Sequence, residues 1–460
     1  MNVSRRGFLL SGLALASGCK PIPDRPPLEE LYRHYGSQDQ PPLILIPGAF
    51  GSRLREIKTG KEVWPGSDAR LLFSNYKGLE VSINENTLDP NADEIEAYRL
   101  FGQGLGRDFY RQVVRMLEQA GGFQQRLPGD PIESGQRNFY VYLYDWRLDN
   151  TASVQGLHDL IEQIRHDYQD PRLKVDILAH SNGGMLARYY ARYGIDDHLD
   201  TGKAAPNYLG TQSIRRLLLV GTPNLGTIQP VLSLIRGEDI GLRNIPSEIV
   251  ATTTGAPQLM LHPSTPWLLD SRGNIIDVDI FDIDTWRQLK WSIFDNRIRN
   301  RTRRVKGGGA AGERYLTVLE SYLARHLSRG RNFMTLMTTE TGPEDIVPYV
   351  YGGDCEPTLA RIVVEDVRGK LVARERPEAI ARPLADVDYD QLMYDPGDSV
   401  VTRASLLGRC EQSAYSRCDD IRRMNLAHSI FICEMHQTLT SNIYFQNNIL
   451  HNLLSKQTKS

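Results

Sequence analysis

No run of apolar residues in this 460-residue chain approaches the roughly 20 needed to cross a bilayer, so no membrane-spanning helix is expected. Charge of neither sign dominates: 54 basic residues stand against 56 acidic ones, which leaves nothing of the basic excess that nucleic-acid binding draws on. Nucleic acid is therefore not an expected partner. Cysteine is scarce, with five in all. No group of His, Cys and Asp stands at metal-ligand spacing, so neither a catalytic metal nor another cofactor is expected. Internal repeats are lacking, and low complexity is confined to Gly307-Gly-Gly-Ala-Ala-Gly312. What is present is an ordinary 40% hydrophobic content and enough length for a large core, in one elaborated catalytic domain or two smaller ones.

The first residues read as an address. Ser4-Arg5-Arg6-Gly7-Phe8-Leu9-Leu10 places paired arginines before a short apolar segment that ends in Ala16, Ser17 and Gly18. This is the layout of a twin-arginine signal peptide over residues 1–18. Cys19 follows directly and resembles the acylated cysteine of a bacterial lipobox, although Ala16 replaces the usual Leu; the competing reading is an unmodified Cys19 beside an ordinary cleavage site. Residues 19–42, Pro-rich at both ends, then read as a tether. The expected location is the bacterial cell envelope, with the protein exported and membrane-anchored as a lipoprotein. Export bears on the other cysteines. An even set of four, Cys355, Cys410, Cys418 and Cys433, implies two disulfides in an oxidising compartment and leaves three connectivities open; the alternative is four buried thiols.

Lys174 to Tyr190 organises the rest. Val175, Ile177 and Leu178 predict a buried strand, which runs into Ala179-His180-Ser181-Asn182-Gly183 and then into helix-favouring residues. A strand, a tight turn with small residues two before and two after a serine, and a helix make a nucleophile elbow. Upstream, Leu43 to Ile46 predicts a strand before Pro47-Gly48-Ala49-Phe50. Helical spacing over 107–120, a β-rich run from Phe139 to Tyr144, a helix from Val154 to Tyr168 and a strand from Ile214 complete a strand–helix alternation. That alternation argues for a mostly parallel central sheet flanked by helices.

The alternation breaks after Thr227. Residues 228–345 read as a large cap insertion, with the glycine tract as its mobile segment and six basic residues between Arg297 and Lys306 that either meet anionic headgroups or form a solvated helix face. Trp64 is read either as a lipid-touching side chain or as a packed loop anchor. The expected division is thus 43–227 for the first part of the core, 228–345 for the cap and 346–455 for the rest of the core.

A serine needs an imidazole to take its proton, and the imidazole needs a carboxylate to hold its tautomer. Asp398, in a Pro-Gly turn after a late segment, and His436, after the last predicted strand, occupy the expected places. The resulting order Ser181…Asp398…His436 is that of the α/β-hydrolase fold. Asp395 is the rival acid. His428 falls at the wrong end of its strand, and the His180 side chain is expected to point away from the site. The backbone N–H groups of Phe50, with Ala49 the neighbouring alternative, and of Asn182 are the candidate oxyanion donors.

With these residues in hand, the chain resembles the lecithin:cholesterol acyltransferase family, which includes lysosomal phospholipase A2 and phospholipid:diacylglycerol acyltransferases. The segments that carry the resemblance are Leu45 to Gly51, Tyr144-Asp145-Trp146-Arg147, the Ser181 elbow, Gly221-Thr222-Pro223, Gly397-Asp398-Ser399 and the stretch around His436. It implies an α/β-hydrolase with a Ser181–Asp398–His436 triad and a Phe50/Asn182 oxyanion hole. The implied activity is a serine lipase, phospholipase or O-acyltransferase acting on lipid esters. The membrane surface is then a partner, through the lipid anchor and the cap. The resemblance also pairs Cys355 with Cys410, which leaves Cys418 for Cys433.

Overall fold

In the computed structural model the described residues are 28–35, 40–92, 94–104, 107–340, 342, 345–410 and 421–455. The expected signal peptide, Cys19, most of the expected tether and Cys418 lie outside them.

Seven strands form one wholly parallel sheet: β1 (Leu43–Ile46), β2 (Phe123–Gln125), β3 (Arg137–Val141), β4 (Val175–His180), β5 (Ile214–Val220), β6 (Tyr349–Gly353) and β7 (His428–Ile432). Their order across the sheet is 2-3-1-4-5-6-7, so the elbow strand β4 lies at the centre. Parallel strands are joined by crossovers that cover both faces, so they bury residues on both sides. Ile44, Ile46, Ile177, Ala179, Leu217 and Leu219 pack on one face. Leu43, Leu45, Leu178, Leu218 and Val220 pack on the other. Helices α1 (Asn150–Asp167) and α2 (Asn182–Tyr193) cover the first face, with Val154, Leu157, Ile161 and Ile164 of α1 recurring at helical spacing. The second face is covered by the helical segment 111–120 and by α5 (Ile443–Leu454). This is the α/β-hydrolase architecture.

Several boundaries differ from the sequence reading. The helix expected over 107–120 begins at Arg111, because Arg107 and Asp108 pair with Gln103 and Gly104. Within the expected tether, Leu28–Tyr32 is a short helix. Leu28 and Tyr32, four apart, bury their side chains, and Tyr32 Oη donates to Asn447 Oδ1 at 2.7 Å, docking the segment on α5.

The glycine tract runs directly into a helix. Gly308 caps α4 (Gly309–Met337), which follows α3 (Asn296–Val305) after a tight turn. A Cβ on Gly312 would come within 2.5 Å of the Arg303 carbonyl, so the glycine lets the two helices cross closely. Four of the six basic residues of this region are held by glutamates: Arg299 by Glu320, Arg301 by Glu248, Arg303 by Glu313 and Lys306 by Glu80. That supports the solvated-face reading over headgroup contact. Tyr322, Leu327 and Phe333 of α4 share one buried cluster with the sheet, and Phe333 stacks on Tyr189 of α2 with ring centroids 5.6 Å apart.

Candidate active site

Ser181 stands at the end of β4 with φ 53° and ψ −126°, a region costly for any residue but glycine. Its neighbours hold it there. Ser181 N–H donates to the Val220 carbonyl of β5 at 2.8 Å, and α2 starts at the next residue. The elbow tolerates no bulk at Gly183, where a Cβ would lie 2.5 Å from the Pro47 carbonyl oxygen. The small residue demanded on the other side is Ala179, whose side chain is buried in the sheet.

His436 Nε2 lies 3.1 Å from Ser181 Oγ, and His436 Nδ1 lies 2.8 Å from Asp398 Oδ2. Asp398 is fully buried. Its other oxygen accepts from Val400 N–H at 3.1 Å and Val401 N–H at 2.7 Å, and its carbonyl accepts His436 N–H at 2.7 Å. A carboxylate so placed accepts a hydrogen bond from Nδ1–H and leaves Nε2 free to accept from the serine hydroxyl. The rival Asp395 is occupied by Arg361 at 2.6 Å, and His428 begins β7 at the opposite end of the sheet.

The loop after β1 presses against Ser181: a Cβ on Gly48 would meet Ser181 Cβ at 2.7 Å. Phe50 is held at φ 62°, its carbonyl accepting from Trp64 Nε1 at 2.9 Å and its ring 4.2 Å from that of Trp146. Among the described residues, neither Phe50 N–H nor Asn182 N–H has an acceptor in the protein, which leaves both free for an incoming oxygen. Trp64 is 2% exposed and anchors the loop rather than reaching a lipid surface.

Tyr144-Asp145-Trp146-Arg147 entered the sequence reading by resemblance alone, and its physical work lies here. Tyr144 Oη donates to the Pro47 carbonyl at 3.0 Å and accepts from Asn182 Nδ2 at 3.1 Å, tying the two candidate donor segments together. Trp146 Nε1 donates to the Ser52 carbonyl at 3.2 Å, and Arg147 pairs with Asp145 at 2.6 Å, both nearly buried.

Two expectations are corrected. The resemblance pairs Cys355 with Cys410; the structure joins Cys355 to Cys433, with Cα atoms 5.1 Å apart. Neighbouring parallel strands decide the matter. Gly353 of β6 pairs with Ile432 of β7, so the residues just beyond both strands emerge side by side. Cys410 is also disulfide-bonded. Cys355, Glu356 and Cys433 cluster as metal-capable groups, but the disulfide occupies both sulfurs.

The second correction is His180, which does not turn away. Its ring lies 5.0 Å from that of His436, with Nδ1 2.8 Å from Tyr110 Oη and Nε2 3.3 Å from the His436 carbonyl. Sequence reasoning missed Tyr110, which belongs to no motif and reaches the site only through the fold.

Burial, and secondarily the nearby His436, lowers the His180 pKa from 6.5 to about 3. The folded value lies below the unfolded one. Between pH 6.5 and about 3 the unfolded chain therefore binds a proton that the folded chain refuses, and stability falls as pH falls through that window. At about 1.36 kcal/mol per pH unit, this residue accounts for about 3 kcal/mol at pH ~4.5. In urea unfolding, the stability lost between pH ~7 and ~4.5 is expected to be smaller by about that amount in His180→Gln. Equal losses in both proteins contradict the assignment.

The family model for lecithin:cholesterol acyltransferase matches residues 135–305, the span that holds the Tyr144–Arg147 segment and the elbow. No curated protein matches the chain by sequence. Among solved structures, a chain in the crystal structure of a Tle4–Tli4 complex superposes with a TM-score of 0.50 at 16% identity, covering 90% of this chain and 98% of that one. That likeness speaks to the fold. Residues 135–305 are thus similar to lecithin:cholesterol acyltransferase, and the chain as a whole has an α/β-hydrolase fold.

Proposed function

We propose that this chain is an exported serine hydrolase or O-acyltransferase that removes a fatty acyl group from a (phospho)lipid ester through an acyl-Ser181 intermediate. The observation that carries the reading is the continuous array Asp398 Oδ2–His436–Ser181 Oγ, with contacts of 2.8 and 3.1 Å. In the first half-reaction Ser181 Oγ attacks the ester carbonyl as His436 Nε2 takes its proton, and the carbonyl electron pair moves onto oxygen. The oxyanion forms at Phe50 and Asn182 N–H, which have no acceptor among the described residues; each such donor contributes about 3 kcal/mol. Collapse breaks the ester bond, and His436 returns its proton to the leaving alcohol. Water or a lipid alcohol then repeats the sequence on the acyl-serine.

The Arg5-Arg6 leader and Cys19 support export and anchoring beside envelope lipid. The Cys355–Cys433 disulfide is in keeping with an oxidising compartment.

A fluorophosphonate probe is expected to label the native protein and not Ser181→Ala. A folded sample that stays unlabelled in the presence of lipid or detergent overturns the proposal. Incubation with labelled phospholipid and a sterol or diacylglycerol then separates the two outcomes, free acid for a hydrolase and new ester for a transferase.

A further inference from the structure

His180 is the buried titratable group that the reaction just described leaves unused. It is the last residue of β4, directly before Ser181. Instead it joins a directed series of hydrogen bonds. Gly48 N–H donates to Tyr110 Oη at 2.7 Å. His180 Nε2 faces the His436 carbonyl, which can only accept, so the Tyr110 hydroxyl is the donor to His180 Nδ1 at 2.8 Å. Nδ1 is then an acceptor, so the ring proton resides on Nε2, which faces the His436 carbonyl at 3.3 Å. Burial keeps the phenol protonated and the imidazole neutral, so the polarity of the series holds across the physiological range.

The two ends of this series matter. Gly48 belongs to the loop that carries Phe50, and the carbonyl at the other end belongs to His436 itself. Gly48 can approach only because it lacks a Cβ, which would lie 2.7 Å from Ser181 Cβ and 3.3 Å from His180 Nδ1. Tyr110 is anchored independently of both ends, 4% exposed among Leu43, Val113 and Phe445 beneath the second face of the sheet. We propose that Tyr110 and His180 are positioning residues that hold the oxyanion loop and the backbone of the catalytic base in fixed relation to each other. The proposal rests on the acyl-transfer reading above and deepens it. Tyr144 does for Pro47 and Asn182 what this pair does for Gly48 and His436, so the two tyrosines brace the donor loop from opposite sides.

The test measures kcat and KM on a soluble ester, with thermal melting to verify folding. Tyr110→Phe keeps the ring and removes only the hydroxyl. It is expected to lower kcat about 10- to 100-fold, the loss typical of misplacement near 1 Å, with KM within about twofold. His180→Leu is expected to match it, and the double variant to lose no more than either single one, because one series is broken once. His180→Gln, whose amide both accepts and donates, is expected to recover most of kcat. Folded single variants with unchanged kcat, or losses that multiply in the double variant, overturn the proposal. So does a rescue by Leu equal to that by Gln. A reading independent of turnover is the nitrogen NMR signature of His180 in Ser181→Ala: the Nε2–H tautomer, still neutral near pH 5, is expected, and a cationic or Nδ1–H ring overturns it. Because the wild type is assayed first, loss of the acyl-transfer reading shows as an unreactive wild type, whereas failure of the positioning role shows as reactive variants.

Discussion

Replacing Asp398 with asparagine is expected to slow turnover about ten-thousandfold while the protein stays folded. The direction follows from what each side of the carboxylate touches. Val400 and Val401 N–H both point at Oδ1 and require an acceptor there. An asparagine therefore keeps its oxygen on that side and turns its NH2 toward His436. Facing a donor, His436 Nδ1 must accept, and the ring proton shifts to Nε2. The imidazole then presents a proton to Ser181 Oγ, 3.1 Å away, instead of a lone pair. The volume is unchanged, so packing is little disturbed. Asp395→Asn provides the contrast: it weakens the pair with Arg361, exposed on the carboxylate side, and should leave the rate within a few-fold. Steady-state rates on a soluble ester, with melting curves for both variants, check the expectation. A loss below about tenfold for Asp398→Asn removes that residue from the triad.

Exchanging Cys355 and Cys433 together for serine is expected to lower the unfolding free energy by about 2–4 kcal/mol. The bond closes a loop of 78 residues, and restoring that freedom to the unfolded chain is the main term. The double exchange isolates this bond from the one at Cys410, which a reductant would also open. Activity should fall with stability. Cys433 lies three residues before His436, and Glu356, next to Cys355, forms a backbone β-bridge with Asp398, so the bond ties the His436 loop to the Asp398 loop. Denaturant titrations at equal slope read the effect directly. An unchanged midpoint with retained kcat would show that the strand pairing of β6 and β7 suffices alone.

The disulfide also marks where sequence reasoning stopped. Resemblance paired Cys355 with Cys410, yet the choice depends on which strand lies beside β6, and that is a property of the sheet rather than of cysteine spacing. His180 is a similar case. Its neighbour Ser181 was legible because an elbow is local: small residues at fixed offsets, an apolar run before and helix formers after. Where the His180 ring points depends on Tyr110 and His436, 70 and 256 positions away. The basic run of α3 looked like a surface for anions until the fold brought Glu80, Glu248, Glu313 and Glu320 against it.

By itself the sequence determined the parallel sheet, the strained serine turn and the order of serine, acid and base, because periodicity and turn chemistry act over a few residues. Only the tertiary structure decided the partners of charges, sulfurs and buried rings, since those contacts form between segments that chain order does not bring together.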